Sequence, residues 1–262
     1  MKLNKLTASL IAASAMAFAS GAQAITVAGV TWDPDSIFDF TSQSTLYETI
    51  ATEVGQTFSG YGQISAINGT TSFCATCQLT YEFGGYTLTT AGASFTASGG
   101  WLNVYVQDTG ALGYTAFNSL IKSTATDGDL WLGLIGSSAW FDSLGTVPLG
   151  TTLAGTVTIP NSTAASGQGA GYFDVLAGAA GGLAAAYLDT NTQPGGADFT
   201  YTSSFQPLPG GNTISNGGIV VATHVGTNEV IGISQIPEPA TLALLGLGLV
   251  GLGMARRNKK VA

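Results

Sequence analysis

Residues 79–89 read LTYEFGGYTLT. Leu79, Tyr81 and Phe83 alternate with Thr80 and Glu82, the period of two expected of a strand with one buried face. Gly84-Gly85 interrupts the run and Tyr86-Thr87-Leu88-Thr89 continues it, as a hairpin or as a bulged strand. The alternation returns at 101–106 (WLNVYV), which sets Leu102, Val104 and Val106 on one face and Trp101, Asn103 and Tyr105 on the other. Further strand-like runs occupy 25–30, 45–51, 56–67, 130–135, 152–159, 172–176, 183–188, 197–205, 217–225 and 228–233. Glycine, 37 of 262 residues, is about twice its usual share and reads as the mark of many turns between short strands. Helical spacing is confined to 114–123, where Phe117, Leu120 and Ile121 fall on one side. Residues 175–187 (VLAGAAGGLAAAY) are rich in alanine, but Gly178, Gly181 and Gly182 oppose a helix, so the stretch reads as two strands joined by the glycine pair. Residues 206–217 read as a long loop. The pattern predicts an all-β body, a single β-sandwich of jelly-roll type.

The first 24 residues carry Lys2 and Lys5, then an apolar stretch from Leu6 to Phe18, then Ala22-Gln23-Ala24. A basic start, a short apolar centre and a small-x-small end make a secretory signal peptide, with Ala22 and Ala24 marking the cleavage site for signal peptidase. The exported body then begins near Ile25. Between Ile25 and Ile236 stand fourteen of the fifteen acidic residues and one cation, Lys122, a formal net charge of −13. Affinity for nucleic acid is assembled from cationic contacts, so no nucleic-acid partner is expected. An anionic bilayer is repelled for the same reason. The many apolar runs separate this body from disordered acidic chains, and about 210 residues suffice for one domain.

Few side chains in the body suggest chemistry. Cys74 and Cys77 form a C-x-x-C followed at once by strand-type sequence, which reads as a local disulfide closing a turn in an oxidising exterior. A reduced pair and a redox site, the latter needing a helix after the second cysteine, are the alternatives. His224 stands alone in a strand-like run with no nucleophile motif beside it, and reads as structural. Asp33, Asp35 and Asp39 offer hard oxygen ligands suited to calcium, against the plainer reading of solvated turn-formers. Asp127-Gly128-Asp129 is a smaller case of the same kind. No other metal or cofactor is expected.

The chain closes on IPEPATLALLGLGLVGLGMARRNKKVA, residues 236–262. Ala240 to Ala255 is uncharged and as a helix would run about 24 Å. That is short of a hydrocarbon core of about 30 Å, so a crossing calls on flanking residues or local thinning. Arg256, Arg257, Lys259 and Lys260 form a basic stop that holds the end in the cytoplasm. Pro237 and Pro239 prevent a regular helix through the junction and keep it extended. Triplet, apolar helix and basic cluster together resemble the PEP-CTERM sorting signal over 236–260. The resemblance implies exosortase, a membrane cysteine transpeptidase, as processing partner, with Pro237, Glu238 and Pro239 as the recognised residues. It further implies a transient inner-membrane anchor, then release or attachment at the surface of a Gram-negative bacterium that makes exopolysaccharide. The same tail is catalogued under an ice-binding-protein C-terminal name, but the body has no regular Thr-x-Thr array.

Three segments follow: a signal peptide at 1–24, a β-rich extracellular domain at 25–235, and the sorting signal at 236–260. The expected function is that of a non-enzymatic cell-surface or extracellular-matrix protein associated with exopolysaccharide and biofilm. A carbohydrate-binding module is the alternative and would need some of Trp32, Trp101, Trp131 and Trp140 exposed. A secreted hydrolase, built on paired carboxylates, has no motif behind it.

Overall fold

The computed structural model describes residues 24–34, 40–108, 122–160, 165–207, 214–216, 219–222 and 224–232. Among them run thirteen strands: β1 (Ile25–Val27), β2 (Val30–Trp32), β3 (Phe40–Glu48), β4 (Thr57–Ile67), β5 (Cys77–Thr90), β6 (Ser94–Asp108), β7 (Asp129–Gly136), β8 (Thr151–Val157), β9 (Gly167–Val175), β10 (Phe199–Pro207), β11 (Ile214–Asn216), β12 (Ile219–Ala222) and β13 (His224–Gly232). Three short helices join them: α1 (Lys122–Ala125), α2 (Ala139–Leu144) and α3 (Ala185–Leu188).

The all-β expectation holds, but the architecture is a closed barrel rather than a two-sheet sandwich. Strands β3 to β10 follow one another antiparallel around one sheet, β13 pairs with β10, and β13 lies alongside β3. Nine strands fill eight positions, because β7 and β8 share one stave. The β6 segment 101–106 pairs with β7, while its segment 94–98 pairs with β8. Strand β9 repeats the division on the other side. Residues 137–150, with α2, leave the wall between the two halves and return to it. Period-two patterning is common to sandwiches and barrels, so alternation alone does not choose between them.

The strands are longer than their sequence pattern suggested. The opening stretch lies in one fourteen-residue strand, β5. Leu79, Tyr81 and Phe83 point inward, and so do Tyr86 and Leu88, although the parity has changed. The change takes place across Gly84-Gly85, where Gly85 has φ +72°. Opposite, Gly99 (φ +76°) and Gly100 (φ +90°) make the matching change in β6, from Phe95 and Ala97 to Leu102, Val104 and Val106. A left-handed backbone is open to glycine without a Cβ penalty. Both strands therefore turn together without losing register, which bends the sheet toward closure. Trp101 covers Gly84 and Gly85 from outside.

Much of the glycine is thus in strands rather than turns. On β9 the inner positions are Gly167, Gly169 and Gly171, opposite Phe205, Ser203 and Tyr201 of β10. A Cβ on Gly60 would meet the ring of Phe83, one on Gly155 the ring of Phe95, one on Gly167 that of Phe205, and one on Gly232 that of Phe199. The outer positions are mostly Thr, Ser and Gln, for example Gln63 and Ser65 on β4, Thr87 and Thr89 on β5, and Thr202 and Ser204 on β10. That is the inverse of a lipid-facing barrel, whose outer band is apolar.

One end, the base, is plugged. The β1–β2 hairpin turns at Ala28-Gly29 and brings Trp32 against Trp131, Phe40 and Tyr187, with ring centroids 5.7, 5.8 and 6.2 Å away. Trp131 Nε1 donates to the Val27 carbonyl (3.1 Å), and Thr31 N donates to the Phe73 carbonyl (2.7 Å). The stretch read as a second strand at 183–188 is a turn leading into α3, and a 3₁₀ turn (Gly178–Gly181) precedes it. Leu176, Leu183 and Ala184 donate their N–H groups to the carbonyls of Gly133, Leu130 and Trp131, the edge of β7 that β9 leaves unpaired. Backbone satisfaction, which periodicity does not show, decides this segment. The expected 114–123 helix and 206–217 loop fall largely outside the described residues.

The register partners Gly155 and Gly169 test the volume limit. A Cβ on Gly155 would run into the Gln168 carbonyl and the Phe95 ring, whereas on Gly169 it would meet Leu153 Cδ1 at 3.3 Å and the Phe95 ring at 3.5 Å. Gly155→Ala should cost about 2 kcal/mol or more, as overpacking against backbone does. Gly169→Ala should stay within about 1 kcal/mol, its crowding offset by a less flexible unfolded chain. Urea denaturation of both variants checks the order.

Candidate functional site: the barrel mouth

Opposite the plugged base, the β3–β4 loop, the β5–β6 turn and the described part of the β8–β9 connection border a pocket. It has about 540 Å³ of empty space, the opening included. Phe58, Leu88, Phe95, Val157 and Phe205 form an apolar wall, and Ile50 stands in the β3–β4 loop at the rim. Phe58 stacks on Tyr86 at 5.1 Å with the rings 5° from parallel, so the floor is aromatic as well. The glycines beneath Phe95 and Phe205 let these rings lie flat against the wall, leaving the centre open.

Among the described residues, one ionisable side chain lines this pocket. Glu48 is the last residue of β3, on the inward parity of Phe40, Ser42 and Ser44, and opposite Gly60 in register. Burial among apolar groups pushes its carboxyl up to about 8, against an ordinary 4.5. Below it, Tyr201 and Tyr86 are buried, and desolvation raises both phenols well above 10. The charge of Glu48 raises Tyr201 further, and Ser203 lowers it by a hydrogen bond. No sequence pattern singled out Glu48. Its inward parity was the one available signal, and it emerges only once β3 is seen to start at Phe40 rather than at 45.

The residues singled out from sequence are dispersed. Of the calcium candidates, Asp33 is exposed, and Asp35 and Asp39 lie outside the described residues. Asp127 and Asp129 are exposed on either side of Gly128. Among the described residues no group of three His, Cys, Asp or Glu is placed to hold a metal. Cys74 and Cys77 are disulfide-bonded, with Cα atoms 5.3 Å apart, and their sulfurs sit beside Gly29 in the turn of the plug hairpin. Trp32 and Trp131 are in the core, Trp101 is half-buried over its glycines, and Trp140 in α2 is 37% exposed. His224 opens β13 opposite Pro207, and its side chain is outside the description. Ala24 is exposed, while Ala22, Pro237, Glu238, Pro239, Arg256, Arg257, Lys259 and Lys260 lie outside the described residues. Among those described, no helix is long and apolar enough to cross a membrane.

Two carboxylates that the sequence did not mark hold loops. Asp198 is 1% exposed and accepts hydrogen bonds from the N–H groups of Val175 (2.7 Å), Thr190 (2.6 Å) and Asn191 (2.6 Å). Asp142 accepts from Ser138 Oγ (2.7 Å) and Gly150 N (2.8 Å), which lower its pKa and tie the excursion at 137–150 to itself.

The raised Glu48 gives a stability signature of definite sign. Its folded value, about 8, lies above its unfolded one. Its contribution is therefore complete below about 4.5 and is lost as pH climbs to about 8. Glu48→Gln should remove that slope, so its melting temperature should exceed that of the unsubstituted protein at pH 8 and the gap should close toward pH 5. Paired thermal melts across this window check it.

A family model described as the PEP-CTERM protein-sorting motif matches residues 235–259. No curated protein and no solved structure matches the chain. The matched span begins and ends one residue before the tail read from the Pro-Glu-Pro triplet, the apolar run and the basic cluster. The chain carries a PEP-CTERM sorting motif, which marks it as an exported protein sorted through exosortase by way of a C-terminal membrane anchor.

Proposed function

We propose that this is a non-enzymatic protein of the cell surface or extracellular matrix, delivered by exosortase in a Gram-negative bacterium and held among its exopolysaccharides. The observation that carries the reading is the sorting motif at 235–259 joined to an all-β body. The body suits a hydrated matrix: its outer wall is Thr, Ser and Gln, and its formal charge of −13 keeps copies apart. Its best-held described aspartates, Asp142 and Asp198, serve loops rather than face each other across a cleft.

One observation favours carbohydrate binding as the second reading. Trp140, exposed on α2, stands edge-on to Tyr172 at 6.4 Å, an aromatic surface of the type that stacks on sugar rings. Trp32 and Trp131 are withdrawn from that role by their burial.

Mass spectrometry of the protein from its host should find the chain ending near Pro239, with Arg256 through Ala262 gone. The pair Pro237→Ala and Glu238→Ala should retain the tail and leave the protein in the membrane fraction. An intact tail in cells with active exosortase would end the sorting mechanism for this chain. Sedimentation with the host's own polysaccharide separates the two readings of the body: retention lost in Trp140→Ala favours the binding module.

A further inference from the structure

We propose that the Cys74–Cys77 disulfide is a redox latch on the base plug. Oxidised, it holds the β1–β2 hairpin in the end of the barrel; as two thiols it lets the hairpin leave. Neither the sorting motif nor the surface role uses this pair. Among the described residues, β1 and β2 pair with each other and not with the barrel wall. A segment outside the main ladder is held by what its turn and side chains touch, and it opens at lower cost than the wall does.

The β4–β5 connection forms a collar along this hairpin. Asn68 donates its side-chain amide to the Asp33 carbonyl (2.9 Å) and accepts from Thr41 N (2.7 Å), which ties the end of the hairpin to the start of β3. Phe73 is buried in the core, and its carbonyl takes the Thr31 N–H. The collar then doubles back through the two cysteines, both half-buried, with Ala75 and Thr76 exposed between them. Both sulfurs face the apex of the hairpin. A Cβ on Gly29 would meet Cys74 Sγ at 3.4 Å and Cys77 Sγ at 3.6 Å, and Cys77 Sγ lies 3.9 Å from the Ala28 carbonyl. Ala28 (φ +51°) and Gly29 (φ +84°) are both left-handed, as a tight two-residue hairpin turn requires. The apex therefore has no side chain to give way on the sulfur side.

Loop size decides where the bond acts. A ring closed over so few residues removes little chain entropy from the unfolded state, so its leverage on the whole barrel is small. Its leverage on the native chain is local, on what the sulfurs touch. Two unbonded sulfurs keep van der Waals separation, so reduction spreads the pair against the Ala28-Gly29 turn and frees the collar between Phe73 and β5. Closing the latch takes two electrons and two protons from the thiols and gives them to an external disulfide, which leaves as two thiols; opening is the reverse exchange. Such an oxidant belongs outside the cytoplasm. The direction of the switch in the cell thus rests on the export reading: the plug is loose while the chain is reduced inside and is latched once it is outside.

Hydrogen-exchange mass spectrometry on the full-length chain in phosphatidylcholine nanodiscs tests this, comparing the oxidised protein with protein reduced by a water-soluble phosphine. The phosphine becomes its oxide, with oxygen from water, as the bond becomes two thiols. Reduction should speed exchange about tenfold in residues 25–34 and 68–77 and leave 79–88 of β5 unchanged. Oxidised glutathione, added after the phosphine is removed, should restore protection. Cys74→Ser combined with Cys77→Ser should match the reduced protein whichever reagent is present. Gly29→Ala, which sets a Cβ against both sulfurs, should speed 25–34 with the bond intact. Acceleration confined to 68–77 would make the bond a clasp of its own turn, and equal acceleration in 79–88 would make it a brace of the whole barrel. Either result overturns the proposal, as does unchanged exchange at 25–34 in the reduced protein or in Gly29→Ala. None of these results touches the sorting motif, which is read from the C-terminus alone.

Discussion

The interior of an eight-stave barrel is too narrow for a large side chain at every inward position, and this limit governs the rest of the molecule. Each ring needs a position beside it with nothing to displace. Phe83 lies over Gly60, Phe95 over Gly155, Phe205 over Gly167 and Phe199 over Gly232. Strand β9 supplies three of the small positions in one run, GQGAGYF, and β10 fills the space with Tyr201 and Phe205. Close packing at ordinary interior density then follows from division of volume between facing strands, not from uniform medium-sized residues. The same division explains why one end can be solid and the other open. Where rings lie flat over glycine, a cavity remains among the described residues.

Closure makes a second demand, and glycine meets it differently. A barrel wall must bend, and β5 and β6 bend together at Gly84-Gly85 and Gly99-Gly100. The interrupted stave falls at the same level: β7 ends at Gly136, whose missing Cβ admits the Gly99 carbonyl, and Thr152 of β8 donates its hydroxyl to that carbonyl at 2.7 Å. Three adjacent staves therefore change direction in one plane. The excursion at 137–150 starts where the wall already turns, so it leaves with few ladder hydrogen bonds lost. Ser137 N keeps its bond to the Tyr172 carbonyl at 2.8 Å as the chain departs.

These demands explain what could be read from sequence and what could not. Strand type was legible wherever polar and apolar residues alternate, as at 79–83, 101–106 and 57–67, because burial of one face is a local requirement. The body's acidity and the tail's three parts were legible because charge and apolar runs need no tertiary context. Barrel closure was not legible, since β13 meeting β3 is a contact between the last strand and the first of the barrel, and no residue type announces it. Glycine misled for a physical reason: a missing side chain serves a turn, a kink and a ring's neighbour alike, and only the partner strand tells which. The segment 183–188 misled because its amides bond to β7 rather than to a strand of its own. Glu48 stayed hidden since a lone glutamate between Tyr47 and Thr49 looks like any strand-end surface residue until its inward parity is fixed.

A body with one lysine and fourteen carboxylates also has to settle its acids without cations, and it uses backbone amides to do so. Asp198 is buried with three N–H donors, which disperse its charge over peptide dipoles at the point where the chain re-enters the wall. Asp142 does the same on a smaller scale with Gly150. Amide donors stabilise a carboxylate where it sits but leave its charge unneutralised, so the fold is held locally while the field outside it persists. That field is weakest to oppose, and most useful, where solvent is thinned by apolar walls, because screening by water and salt is least there. The mouth is such a place: burial pushes its carboxyl up, and the rings that keep water from it are the ones that the glycines opposite have allowed to stay.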